Sequence, residues 1–172
     1  MLYHNVVDTS AWAKLYETSV FKNIEFPKGK LFEDIGTTYK TFIESGLVSC
    51  GYRSKYNYYV RSNSIVTSGF NERKLDLLEM TDSMAAEVTE IYPQLAKAAL
   101  RRQVYARFST LNQILKIDSY KERSEPLIDY IMKNKRAILC NSKAPFRDKV
   151  AILLLFLGLP LYRFIWLKIA SK

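Results

Sequence analysis

The sequence predicts an α/β chain, mostly helical, with a few short strands confined to its first seventy residues. Three observations carry that prediction. Two runs rich in aromatic and branched residues, "LVSCGY" and "YNYYVR", flank a polar "RSK", the pattern of two strands joined by a turn. From Leu77 onwards apolar residues recur at helical spacing. Residues 1–96 carry 10 Lys and Arg against 12 Asp and Glu, whereas residues 97–172 carry 16 against 5, so a near-neutral half meets a strongly basic one.

The elements follow in order. "AWAKLYETSVFKNIEF" mixes apolar and polar residues and reads as a short strand and a short helix. "PKGK" is a loop. From Glu33 a helix is expected to run to about Ser45, because Ile35, Tyr39 and Phe42 step by four and three and Gly46 supplies a stop. The two strands come next, then the small polar loop "SNSIVTSG". Asn71 is the expected N-cap of a helix with the stripe Leu77, Met80, Met84, Val88 and Ile91, ended by Pro93. Val104, Phe108, Leu111 and Leu115 mark a second helix, and Leu127, Ile131 and Ile138 a third. These stripes are core positions.

Composition excludes several classes. Hydrophobic residues make up 48% of the chain and aromatic residues 13%, too many for a disordered protein. His4 is the sole histidine, which leaves little from which to build a Ser/His/Asp triad or a His-rich metal site. Cys50 and Cys140 are isolated, the usage of a reducing compartment. The start "MLYHNVVDTSAWAK" lacks the basic and apolar blocks of a secretory signal. The glycines form no phosphate loop, and no D-x-D cradles a metal diphosphate.

One stretch points to chemistry. In "GKLFEDIGTTYKTF", Glu33 and Asp34 sit where loop becomes helix. Acidic residues in a first helical turn face free N–H groups and the positive end of the helix dipole, so the pair can be a plain cap. It can also supply a general base.

The order of these segments resembles the C-terminal half of bacterial family-2 glycosyltransferases of the GT-A fold, above all those that build capsular polysaccharides and exopolysaccharides. The matching features are W-x-K-L-Y at Trp12–Tyr16, F-P-x-G-K-x-F-E-D at Phe26–Asp34, and the Tyr-rich run entering R-x-x-S-I at Arg61–Ile65. The likeness extends over nearly the whole chain. It implies that residues 1–70 are the acceptor-side portion of a GT-A, Rossmann-like catalytic domain and residues 71–172 a helical extension. The family's donor-binding half with its D-x-D carboxylates does not appear in this sequence, so the chain alone is expected to be inactive. Mg or Mn, which the family uses, would belong to that half, with no metal held here.

The resemblance also implies roles. Inverting glycosyl transfer is an in-line displacement, and the acceptor hydroxyl must lose its proton on the face opposite the leaving diphosphate. Asp34 would take it, and Glu33 would orient Asp34 or the acceptor. Arg61 would steady the donor diphosphate through its forked donors, with Ser64 assisting. Trp12 and Lys14 would contact the sugar acceptor. The partners implied are a nucleotide sugar and a saccharide or lipid-linked acceptor.

The terminal "FRDKVAILLLFLGLPLYRFIWLKIASK" raises a different expectation. Val150 to Tyr162 is apolar but broken by Gly158 and Pro160, too short to span a bilayer. Basic flanks and the aromatic Phe164 and Trp166 suit a segment, residues 146–170, lying in a membrane interface, although a buried terminal helix has the same pattern. The second reading of the chain is therefore a non-catalytic helical module docking on an anionic membrane, with nucleic acid the weaker partner. The location expected is cytoplasmic, peripheral to the inner face of the cell membrane.

Overall fold

A computed structural model describes residues 1–3, 7–51, 53–59, 64–65, 68–117 and 119–170. Among the described residues the chain is all-helical, 61% helix in six α-helices, with no strand. This overturns the α/β expectation and with it the GT-A, Rossmann-like fold. The expected strands fail for a physical reason. Leu47–Gly51 and Tyr56–Tyr59 are solvent-exposed, with no ladder partner among the described residues. A Tyr-rich segment has high strand propensity only when a neighbouring strand accepts its N–H groups and packs its side chains. The "AWAKLYETSVFKNIEF" segment holds only a 3-10 turn, Thr18–Phe21.

Helix α1, Thr38–Glu44, begins later than Glu33. It buries Thr38, Tyr39 and Thr41, while Phe42 is only half-buried. Helix α2, Asp76–Ile91, follows a 3-10 turn at Glu72–Leu75 that Asn71 precedes without a side-chain cap. Leu77, Met80, Met84 and Val88 are buried as their spacing predicts, and Ile91 ends the stripe in solvent. Tyr92 is non-helical before Pro93, and a third 3-10 turn, Pro93–Leu95, leads into α3, Ala96–Ile114. Helix α4, Tyr120–Leu139, buries Leu127, Ile131 and Ile138. Helices α5, Phe146–Leu157, and α6, Leu159–Ala170, form a hairpin jointed at Gly158, whose φ of 130° and ψ of 145° belong to glycine alone.

Two apolar clusters hold the helices together. The larger runs from Val104, Phe108 and Leu111 on α3, through Ile131 and Ile138 on α4, to Ile152, Leu155 and Tyr162 on the hairpin. The smaller joins Ile35 and Tyr39 to Leu77, Met80, Met84 and Val88, so the N-terminal segment packs directly on α2. At the second contact Gly36 is squeezed: a Cβ there would stand 2.8 Å from the Met80 sulfur.

Helix α3 is the hub, and arginines tie it to its neighbours. Arg107 pairs with Asp82 on α2 and lies 4.0 Å over the Tyr130 ring of α4. Arg101 pairs with Asp148 on α5, and the Arg102 guanidinium donates to Thr9 Oγ1 at 3.3 Å. Part of the basic charge of residues 97–172 is thus directed inward, where it joins elements, and is not available to an outside anion.

Candidate functional site

The loop that carries Glu33 and Asp34 is bolted to the start of α2. Gly29 takes a left-handed φ of 77°, and its carbonyl accepts from Arg73 at 3.2 Å. The next two residues reach α2 itself. Lys30 Nζ lies 3.4 Å from Asp76 and 2.6 Å from Glu79, and the Leu31 N–H donates to Asp76 Oδ2 at 2.9 Å. That N–H, followed by the Lys30 contact, holds the Asp76 carboxyl below the usual carboxylate range. The lysine and glycine of "FPKGK" therefore fix the approach to the carboxylates.

Phe32 then turns the chain with a φ of 59°. Asp34 closes the first helical turn: its carbonyl accepts from Thr37 at 3.2 Å and Thr38 at 2.8 Å, and its Oδ1 accepts the Ile35 N–H at 2.8 Å. Glu33 lies on the same turn, half-buried. The pair thus sits one turn ahead of α1.

Asp34 is half-buried, and burial raises its pKa above the ordinary value. The Ile35 N–H opposes that rise, Glu33 and Asp8 add to it, and Arg102 opposes it. The expectation that a helix N-terminus would favour the ionised form is reversed here, because desolvation outweighs the backbone contact. Burial likewise lowers Lys14, against the pull of Asp8 and Asp34. It also raises Tyr16, which Asp34 raises further. Asp34, Asp8, Lys14, Tyr16 and Arg102 therefore share one electrostatic neighbourhood.

Lys14 is held in place by the loop before it. Its Nζ donates to the Ser10 carbonyl at 2.5 Å and reaches the Trp12 carbonyl at 3.5 Å. Between Trp12 and Lys14, Ala13 is left-handed, with a φ of 57°. Ala13 and Phe32 are the two non-glycine residues with positive φ among the described residues, and they adjoin the two halves of the site. Such conformations cost about 1–3 kcal/mol each and persist where the surroundings impose them. Trp12 is 42% exposed and stacks on Tyr56 and Tyr58 with ring centroids 5.1 and 5.0 Å away.

Of the residues singled out from sequence, Trp12, Lys14, Glu33 and Asp34 fall within these two neighbouring segments. Ser64 is elsewhere: it is half-buried in a turn where its carbonyl accepts the Ser68 N–H, and buried Lys74 anchors that turn through the Ser68 carbonyl at 2.6 Å. The role given to Arg61 lies outside the described residues. Sequence reasoning missed Asp8 and Arg102, which carry no motif, gave Tyr16 no role although it ends W-x-K-L-Y, and read Tyr56 and Tyr58 as strand residues. Two open grooves of the described surface lie away from Asp34. One, of about 530 Å³, runs between α2 and α3 past Asp82, Ala86 and Leu100, and the other, of about 360 Å³, lies between α4 and Leu159. Among the described residues no three His, Cys, Asp or Glu side chains converge as a metal site would need, and no helix is long and apolar enough to cross a membrane.

Compared with models of protein families, with curated proteins and with solved structures, the chain matches none.

Proposed function

We propose that this chain supplies the acceptor side of an inverting glycosyl transfer, with Asp34 as general base. One observation carries the reading. The Trp12–Lys14 segment, with left-handed Ala13, and the Glu33–Asp34 turn, preceded by left-handed Phe32, are distant in sequence and share one electrostatic environment. The proposal rests on these residues and their motifs, not on the fold.

The chemistry follows from the surroundings of Asp34. An acceptor hydroxyl beside the carboxylate gives up its proton to Asp34 as its oxygen bonds to the anomeric carbon, while the bond to the diphosphate oxygen breaks and the diphosphate leaves with the electron pair. Burial makes Asp34 hold a proton more tightly than an exposed aspartate, so it is the stronger base. The Ile35 N–H and, more weakly, Arg102 oppose the burial and favour the ionised form that must await the proton. Trp12, 42% exposed, forms with Tyr56 and Tyr58 an aromatic cluster against which a sugar ring can pack. The nucleotide sugar is assigned to a separate donor-binding half, as in the glycosyltransferases that the motifs resemble.

The test supplies that half, in trans or by fusion, and measures transfer from a panel of nucleotide sugars to saccharide and lipid-linked acceptors. Asp34→Asn keeps size and hydrogen bonding but removes the base, and is expected to cut transfer by about 100-fold or more while acceptor binding persists. Transfer that survives the substitution moves the base elsewhere. An absence of both transfer and saccharide binding in the unsubstituted chain overturns the reading.

A further inference from the structure

The α5–α6 hairpin has two faces with different surroundings. Its inner face is core: Ile152, Leu155 and Tyr162 are buried, Tyr162 donates to Asn112 Oδ1 at 2.8 Å, and Arg163 donates to the Leu115 carbonyl at 3.0 Å. Its outer face is apolar and open. Phe156 is 63% exposed and Leu157 69%, and Leu153, Leu161 and Phe164 are exposed with them. Leu153 and Leu157 share one side of α5 by their four-residue spacing, and Leu161 and Phe164 are exposed on α6 beyond the Gly158 joint.

Cations border this strip. Lys135 Nζ of α4 lies 4.6 Å from the Phe156 ring centroid, and Lys168 Nζ lies 4.4 Å from that of Phe164. Lys149 adds a third ammonium on α5. Asp148, the one acidic residue of residues 146–170, is buried against Arg101 on the inner side. An ammonium held over an aromatic ring at the edge of an apolar strip sets a positive charge at the level of the headgroup phosphates, with the ring at the acyl boundary. Two copies of this face brought together would oppose their lysines, which disfavours self-association.

We infer that the outer face of the α5–α6 hairpin docks flat on a bilayer containing anionic lipid. Phe156, Leu157 and Phe164 enter the acyl boundary, and Lys135, Lys149 and Lys168 lie among the headgroup phosphates. The inference goes beyond the acceptor chemistry and is independent of Asp34.

Flotation of the full chain with vesicles of phosphatidylcholine alone, and of phosphatidylcholine mixed equally with phosphatidylglycerol, tests it. Binding is expected to need the anionic lipid and to weaken as salt rises. Phe156→Ser with Leu157→Ser should abolish flotation without changing the circular dichroism, both side chains being exposed. Lys135→Glu, Lys149→Glu and Lys168→Glu should each weaken binding at least about fivefold, and they keep the test decisive if the apolar variant misfolds. Equal binding to both vesicles, binding untouched by the lysine substitutions, no vesicle binding with retention on duplex DNA at matched salt, or a dimer that dissociates on Leu157→Ser would each overturn it.

Discussion

Asp148 on α5 meets Arg101 on α3 at 2.7 Å, with the arginine side chain 1% exposed and the aspartate 8%. The two residues lie far apart in sequence, and their contact makes the terminal hairpin part of the fold. Asp148→Ala would leave a buried guanidinium without its carboxylate, so it is expected to lower unfolding free energy by about 3–5 kcal/mol in urea titrations. Replacing the pair together, Arg101→Met with Asp148→Leu, should recover most of that loss. Removing residues 146–172 strips the same partner along with Ile152, Leu155 and Tyr162, and is expected to unfold the remainder.

Asp34 should set stability and chemistry against each other. Its folded pKa is raised, chiefly by burial. The protonated form therefore stabilises the fold below the ordinary carboxylate range, and that contribution is lost as pH rises through the raised value. At neutral pH Asp34→Asn should melt higher than the unsubstituted protein, and the gap should close as the solution is acidified. A lower melting temperature for Asp34→Asn at neutral pH would contradict the assigned environment.

Gly36 is a packing glycine. An added methyl group would press on the Met80 sulfur, the flexible end of a side chain, so Gly36→Ala should cost only about 1 kcal/mol. Gly36→Val cannot be accommodated the same way and should cost about 3 kcal/mol or more by thermal melts. Shortening Met80 to Ala in the Gly36→Ala background should cost less than in the native background, because the cavity is partly filled.

The two tryptophans report on different places. Trp12 is accessible, whereas Trp166 packs against the main cluster. Acrylamide should quench chiefly Trp12, and Trp12→Phe should remove that fraction. A saccharide that occupies the proposed site should protect Trp12 and leave Trp166 unchanged.

Much of the helical part was legible because periodicity and burial coincide there. Met84, Leu111 and Ile131 sit where the stripes put them, and Pro93 stops α2 as proline chemistry requires. The region before Asn71 was less legible. Aromatic content there reads as strand, but strand formation depends on a distant partner that local sequence does not encode. The late start of α1 was hidden because the turn around Asp34 has the composition of a helix start and makes two helix-like bonds before regular helix begins. At the site, the motif residues could be read directly. Asp8 and Arg102 could not, since they reach Asp34 only through packing of the N-terminal segment on α3. The terminal segment offered a choice between core and interface, yet its inner face is core and its outer face is open.

Gly158 separates two helices of twelve residues each. Straightened into one rod, residues 146–170 would extend about 37 Å at helical rise, more than the roughly 30 Å of a hydrocarbon core. The glycine joint, with Pro160 unable to donate a helix bond just after it, folds that length back on itself. Each half is about 18 Å long, too short to cross. A residue with a Cβ at 158 would strain this joint, so this one position decides whether α6 can turn to bring Tyr162 and Trp166 onto the core that α5 has already joined.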